Sequence, residues 1–429
     1  MRIGRRVVRS RPTTRSPSRS SLTRNLFAIA AACFIGFAGF TLAMPFLPLY
    51  FASLGMTGAA DIALWSGVSL GITPGMTALL APLWGRLADR YGNKLLVIRS
   101  LVAFVITMIA MGLVTRPWHV VALRVVQGLF AGYGALAVAM AANSAPPDRM
   151  AAAIGTVQTA QRLGPAVGPV VGGALAYAIG VRHTFFVSAA FYAAALVLVW
   201  FWYQEPRRIP DAGESGVPRA GARKVPLTFR NVLGLQHLVL LMGAIFALQL
   251  VDRSFAPVLP MYLADVGVAE GRIALYAGLL LSVGAATGAI GNLTTQRLLS
   301  IYPPRTLLRA VAVTGACALL PFVVGARVSV LVASTAVFGL AIGVGMTSAF
   351  AAAGAILPEH SRSSGFGLLS SASLVGLALS PMVSGVLARI SLRSVFIVGV
   401  IALVVLGVMV SYLMRTPASV GRTPAVEDL

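Results

Sequence analysis

Acidic side chains are scarce in this chain, with 12 Asp and Glu among 429 residues against 34 Lys and Arg. Charged residues of both signs reach only 11%, where a soluble domain carries about 25%. So few charges cannot cover a water-exposed surface of this size, which excludes a soluble globular protein. Cysteine is nearly absent: Cys33 and Cys317 both fall in apolar stretches and read as small core residues. A disulfide framework is therefore excluded. The four histidines, His119, His183, His237 and His360, lie at the ends of apolar runs or between them. That leaves no metal-ligating set and no acid–base pair at membrane depth, which argues against an enzyme. The bases are scattered through short loops and tails rather than grouped with aromatics, so a nucleic-acid groove is excluded too.

Long apolar runs are what the chain has in quantity, since 58% of its residues are hydrophobic. Crossing a hydrocarbon core of ~30 Å takes roughly 20 apolar residues. Twelve runs meet that length: 26–51, 63–84, 95–115, 119–141, 151–178, 184–203, 235–263, 273–295, 306–325, 329–352, 364–388 and 394–414. The sequence thus predicts an all-α integral membrane protein with both termini on one side. Arg99, Arg124, Arg162 and Arg253 lie inside predicted spans. Six bases sit in loops of one side, Arg116, Arg182, Arg272, Arg327, Arg389 and Arg393, and the remaining 24 occupy the tails, the opposite loops and, for Arg309, the adjoining end of span 9. The positive-inside rule then places both termini in the cytoplasm.

The polar stretches divide the chain. Residues 1–24, rich in Arg, Ser and Pro, read as a disordered cytoplasmic tail that anchors topology, and 415–429 as a second tail. Residues 204–234, with Glu205, Pro206, Asp211, Glu214 and Pro218, read as a cytoplasmic linker between spans 1–6 (25–203) and spans 7–12 (235–414). An internal repeat supports that division. Pro45, Pro48, Tyr50, Ala52 and Gly55 of span 1 recur at an offset of 212 as Pro257, Pro260, Tyr262, Ala264 and Gly267 of span 7. The same offset carries Gly155, Gly164, Pro169 and Gly173 of span 5 onto Gly367, Gly376, Pro381 and Gly385 of span 11, with Ser380 and Ser384 replacing Gly168 and Gly172. Two pseudo-symmetric six-helix bundles are expected, with spans 1 and 7 bent alike at their prolines. The bends serve either as static kinks or as moving gates.

Three features carry chemistry. Residues 85–94 read Gly-Arg-Leu-Ala-Asp-Arg-Tyr-Gly-Asn-Lys between two spans. This loop resembles the loop 2–3 signature of the major facilitator superfamily at Gly85, Leu87, Asp89, Arg90, Gly92 and Lys94, with Asn93 where the family often has a base. Span 5 combines Gly155, Gly164, Gly168, Pro169, Gly172 and Gly173 at a spacing that resembles the antiporter motif of drug/proton antiporters in that superfamily. Its glycines at every fourth position form a stripe for close packing, and Gly284, Gly288 and Gly291 of span 8 offer a complementary one. Arg124, Gln127 and Gly128 of span 4 resemble a third family motif, whose arginine is linked to proton transfer.

The resemblance covers all twelve spans and, within the twelve-span drug/proton antiporter family, extends to MdtG-type multidrug resistance transporters. It implies a proton-coupled exporter of amphipathic small molecules in a bacterial inner membrane. It also implies a gate in which Asp89 meets the start of span 11, a substrate site near the midplane, and a functional monomer. The proton gradient supplies the energy and no cofactor is expected; the partners are substrate, protons and the lipid bilayer. An uptake symporter of the same fold and a transport-inactive sensor remain the alternatives. From local physics alone, Asp252 is the one acid expected deep within a span and so becomes the candidate for proton coupling or cation recognition. Gln249 lies one turn away on the same face, while Arg253 points about 100° away and need not neutralise Asp252 directly; a structural ion pair with a base on another span is the alternative. Arg162 reads as another buried base.

Overall fold

In lipid a backbone must satisfy its own hydrogen bonds, which the α-helix does within one segment. The computed structural model describes residues 19–146, 149–205, 236–356 and 362–414, and among the described residues helices are the only regular structure. Span 1 comprises Arg19–Ala43, a 3-10 turn at Met44–Phe46, and Leu47–Ser53. Spans 2 and 3 are Ala59–Tyr91 and Asn93–Leu113, and span 4 is Pro117–Leu129 continued by Tyr133–Ser144. Span 5 is Met150–Ile179 and span 6 is Val181–Trp202. Span 7 is Gln236–Arg253 and Leu259–Asp265, and span 8 is Ile273–Ile301. Pro304–Val324, Val328–Ile356, Arg362–Leu387 and Ser394–Leu413 form spans 9 to 12.

Ten of these segments are long and apolar enough to cross a membrane unaided. The other two are span 5, diluted by Gly, Gln and Arg, and span 7, interrupted at 254–258. The first helix starts at Arg19, inside the stretch expected as tail. Residues 1–18, nearly all of the expected linker (206–235) and 415–429 lie outside the described residues.

The repeat governs the packing. Span 1 packs on spans 5 and 6, span 2 on span 4, and span 3 on span 6; the same pairings join 7 to 11 and 12, 8 to 10, and 9 to 12. Each half holds its own apolar core. Spans 1 and 7 also end identically. Gly55 at φ +93° and Gly267 at φ +84° stop the helices, and Met56 and Val268 donate back to the Phe51 and Leu263 carbonyls at 3.2 and 3.0 Å. Only glycine takes that left-handed backbone without strain. One turn earlier, Tyr50 donates to the Met111 carbonyl and Tyr262 to that of Phe322, tying spans 1 and 7 to the ends of spans 3 and 9.

The prolines interrupt spans 1 and 7 as expected, but unequally. Span 1 passes through a single 3-10 turn, while span 7 loses helical form over 254–258. Pro48 and Pro260 then sit in the first turn of the next segment, where a missing N–H costs nothing.

Candidate functional site

The two halves meet through spans 2 and 11 and through spans 5 and 8. At the end that carries Gly55 and Gly267, the loop 1–2 end, these pairs approach to backbone contact. A Cβ on Gly67 would stand 2.0 Å from the Pro381 carbonyl oxygen, and one on Gly71 2.3 Å from that of Ala378. Across the other pair, a Cβ on Gly173 would stand 2.5 Å from the Ala274 carbonyl oxygen and one on Gly278 2.2 Å from that of Pro169. Ser282 of span 8 accepts the Val170 N–H at 2.9 Å, and Arg389 pairs with Asp61 at 3.2 Å across the surface of the same end. Toward the loop 2–3 end the approach ends: Gly75 is still near Ala378, but a Cβ on Gly85 or Gly155 would meet nothing within 4 Å. The halves enclose a cleft shut at one end.

The span 5 stripe has a different partner from the one its sequence suggested. Gly164, Gly168 and Gly172 lie against span 1, where a Cβ would come within 2.7 Å of Ala38 N, 2.7 Å of Ala38 O and 1.9 Å of Leu42 O. The span 8 stripe does not complement it, because Gly284, Gly288 and Gly291 pack on Gly339, Gly343 and Leu340 of span 10. Spacing fixes which face is smooth, but not which neighbour meets it. Span 11 uses the same geometry with added chemistry. Its Ser380 and Ser384 donate to the carbonyls of Leu250 and Ser254, which are the repeat equivalents of Ala38 and Leu42.

Arg124 is fully buried in the first half. Its Nε donates to the Ser69 carbonyl at 2.8 Å, its Nη1 to Gln127 Oε1, and its guanidinium stands 5.5 Å from the Phe40 ring centre. Thr73 Oγ1 donates to the Arg124 carbonyl at 2.9 Å, and Gly128 lets Thr73 and Met76 of span 2 close on span 4. Arg124 Nη2, Gln127 Nε2 and Ser69 Oγ are buried without a partner among the described residues. Arg124 and Gln127 are thus brought together as one polar node in an apolar bundle.

Asp252 occupies a different setting from the expected one. It lies in the last turn before the break in span 7, is 30% exposed, and pairs with Arg253 at 3.1 Å. The offset between neighbouring positions, which left Arg253 no need to neutralise Asp252, does not keep the two apart. The 100° offset applies at Cβ, whereas the helix stops at Arg253 and the long guanidinium stem folds back. Gln249 packs on Gly376 of span 11, so it and Asp252 do not join the Arg124 node through any contact among the described residues.

In the loop 2–3 motif, Gly92 at φ +90° ends span 2 and starts span 3. The Asn93 N–H donates to Glu205 Oε1 at 2.8 Å, while Lys94 Nζ donates to the carbonyls of Trp200 and Tyr203 at 3.0 and 2.6 Å. Glu205 thus caps span 3 and Lys94 caps span 6, each ion meeting the favourable end of a helix dipole. Arg90 is exposed and lies beside Tyr91. The Asp89 side chain and residues 357–361 lie outside what is described, as do the side chains that begin span 11.

Arg99 acquires a role that the sequence alone did not assign, and two other residues stand elsewhere than expected. Arg99 lies 3.5 Å from the centre of the Trp84 ring and donates to the Phe130 carbonyl at 3.1 Å, holding the interruption of span 4. Arg162, expected to be buried, is exposed. Cys317, expected in the core, is exposed on span 9, while Cys33 is buried.

Comparison with known proteins accords with this architecture. The family model described as Major Facilitator Superfamily matches residues 29–326 and 241–428. A multidrug resistance protein MdtG of Yersinia enterocolitica is 32% identical over 308 residues, covering 72% of this chain and 73% of that protein. The MdtG of Dickeya zeae is also 32% identical, over 299 residues, covering 70% and 71%. Among solved structures, a bacterial homologue of the human lysosomal transporter Spinster, inward-facing and unoccupied, superposes with a TM-score of 0.71. It is 18% identical and covers 94% of this chain and all of that one, a likeness of fold.

Proposed function

This chain belongs to the major facilitator superfamily, and on that premise we propose that it is a secondary transporter exporting amphipathic small molecules in exchange for protons. The observation that carries the reading is the one-sided closure. Spans 2 and 11 and spans 5 and 8 touch through bare backbone at the loop 1–2 end and part toward the other. A cleft of this form delivers cargo when the closed pairs separate and the open end shuts. With the bases placed by the positive-inside rule, the closed end is the outer one and the cleft faces the cytoplasm of a bacterial cell, both termini included. Export over uptake is favoured by the span 5 motif and by the names of the curated relatives.

Asp252 is the proton-coupling group in this reading. A proton arriving on its carboxylate releases Arg253, and loss of the proton restores the pair. Arg124 and Gln127, buried together in the first half, and Gln249, packed on span 11, are the polar groups that respond to the change of state, and the loop 2–3 residues Gly85, Asp89, Arg90, Gly92 and Lys94 close the inner end. The monomer is the functional unit, driven by the proton gradient without a bound cofactor.

The test is accumulation of fluorescent dyes of each charge sign in cells expressing the protein, with and without a protonophore. Lowered accumulation of at least one dye, reversed by the protonophore, is the expected result. Flux that the protonophore leaves unchanged would remove proton coupling, and raised accumulation would make the protein an importer.

A further inference from the structure

The second half repeats the loop 2–3 corner without its acids. Gly278 answers to Gly67, the two facing the Pro169 and Pro381 carbonyls, at an offset of 211, one short of that of spans 1 and 5. Arg305 answers to Lys94 at the same offset, donating to the Ser411 carbonyl as Lys94 does to that of Trp200. Arg297 then stands for Arg86, while Ser300 and Thr416 replace Asp89 and Glu205. Pro304 replaces Asn93, so the N–H that meets Glu205 in the first half has no counterpart. A base is added instead, Arg309 in place of Ile98. Arg297 and Arg309 are exposed, and neither makes an ion pair or a side-chain hydrogen bond among the described residues.

Both bases stand on the outer rim of the bundle. Two residues join span 8 to span 9, and Arg297 and Arg309 lie within two turns of that joint. Arg297 shares an exposed face with Ile290 and Ile301 and lies opposite Gly288, which packs on span 10. Arg309 heads a stripe of exposed Val313, Leu320 and Val324. Tyr302 and Tyr412, 48% and 82% exposed, mark the depth of the headgroups, where tyrosine gathers in membrane proteins. Tyr412 adjoins Ser411, so the contact of Arg305 with Ser411 brings the end of span 12 to the same corner.

We propose that this corner of spans 8, 9 and 12 holds an anionic phospholipid of the cytoplasmic leaflet, its phosphate on Arg297 and Arg309 and its chains along the two apolar faces. The leaflet follows from the positive-inside placement of the loops, and the site does not depend on what the protein transports. Bases at the ends of membrane helices attract anionic headgroups, and the planar fork of Arg fits phosphate oxygens. The first half sets acids among its bases, whereas here the countercharge is left to the lipid. A zwitterionic lipid brings a cation along with its phosphate and so gains less.

For the test, the full chain carries bimane at Tyr412→Cys in a Cys317→Ser background, Cys33 being buried, in nanodiscs of phosphatidylcholine. Quenching by phosphatidylglycerol with a nitroxide near the top of one chain is compared with quenching by phosphatidylcholine labelled in the same way. The anionic lipid is expected to be enriched about tenfold beside the label, to lose that excess in Arg297→Gln/Arg309→Gln, and to keep most of it in Arg297→Lys/Arg309→Lys. Unfolding temperatures of both variants establish that the folded protein is compared. Bimane at Phe201→Cys, the equivalent position of the first half, is expected to report a smaller excess. Equal quenching by the two lipids overturns the proposal, as does an excess that survives the Gln replacements. An equal excess at Phe201→Cys also overturns it, because the attraction then belongs to the whole basic side. Loss of the excess on adding inorganic phosphate assigns the arginines to the free anion and removes the lipid.

Discussion

The proposed coupling rests on one residue, Asp252, and on one neighbour. Its carboxylate lies 3.1 Å from Arg253 at the last turn before span 7 breaks. At 30% exposure it is partly open and partly enclosed. Asp252→Asn is therefore expected to abolish uphill, proton-driven flux in proteoliposomes while leaving downhill flux of the same dye measurable. Uphill flux equal to that of the unmodified protein would make the pair structural. The sequence identified Asp252 as the acid within a span, because scarcity made the list short. It did not identify the pairing, since helical periodicity places Cβ atoms and says little about a long side chain at a helix end. Arg162 was misread for a related reason. Position within a span does not distinguish a buried face from an exposed one.

Among the elements, the span 5 and span 11 pair shows one packing problem solved in two ways. Gly168 and Gly172 approach the Ala38 and Leu42 carbonyls directly, while Ser380 and Ser384 donate hydrogen bonds to the equivalent carbonyls of Leu250 and Ser254. A methyl on Gly172 would stand 1.9 Å from an oxygen, so the helices must part to admit it. Overpacking of that kind costs about 1–3 kcal/mol or more. An interhelical hydrogen bond in a membrane is worth only about 0.6 kcal/mol on average. Gly172→Ala should thus lower the unfolding temperature in detergent more than Ser384→Ala does, and the reverse order would contradict this account of the interface. The repeat itself was legible because two prolines, a tyrosine, an alanine and a glycine of span 1 recur in span 7 at a single offset. The partner of each glycine stripe was not legible, since spacing specifies a smooth face and only the assembled bundle specifies what lies against it.

At the scale of the whole molecule, the central claim is that one end of the cleft is shut and must open for transport. The twelve spans and their division into halves followed from run length, loop charge and the repeat. The state of the cleft did not, because it resides in contacts between spans far apart in sequence. Asp61 and Arg389 meet across the halves at the shut end, more than half exposed, so both can be replaced without disturbing a core. The decisive measurement is dye flux by Asp61→Cys/Arg389→Cys in a Cys317→Ser background, joined by a short bis-methanethiosulfonate linker and then released with reductant. Flux should stop on cross-linking and return on reduction, with the single-cysteine variants unaffected. Undiminished flux through quantitatively cross-linked protein would show that this end need not open, and alternating access by separation of these helices would be wrong.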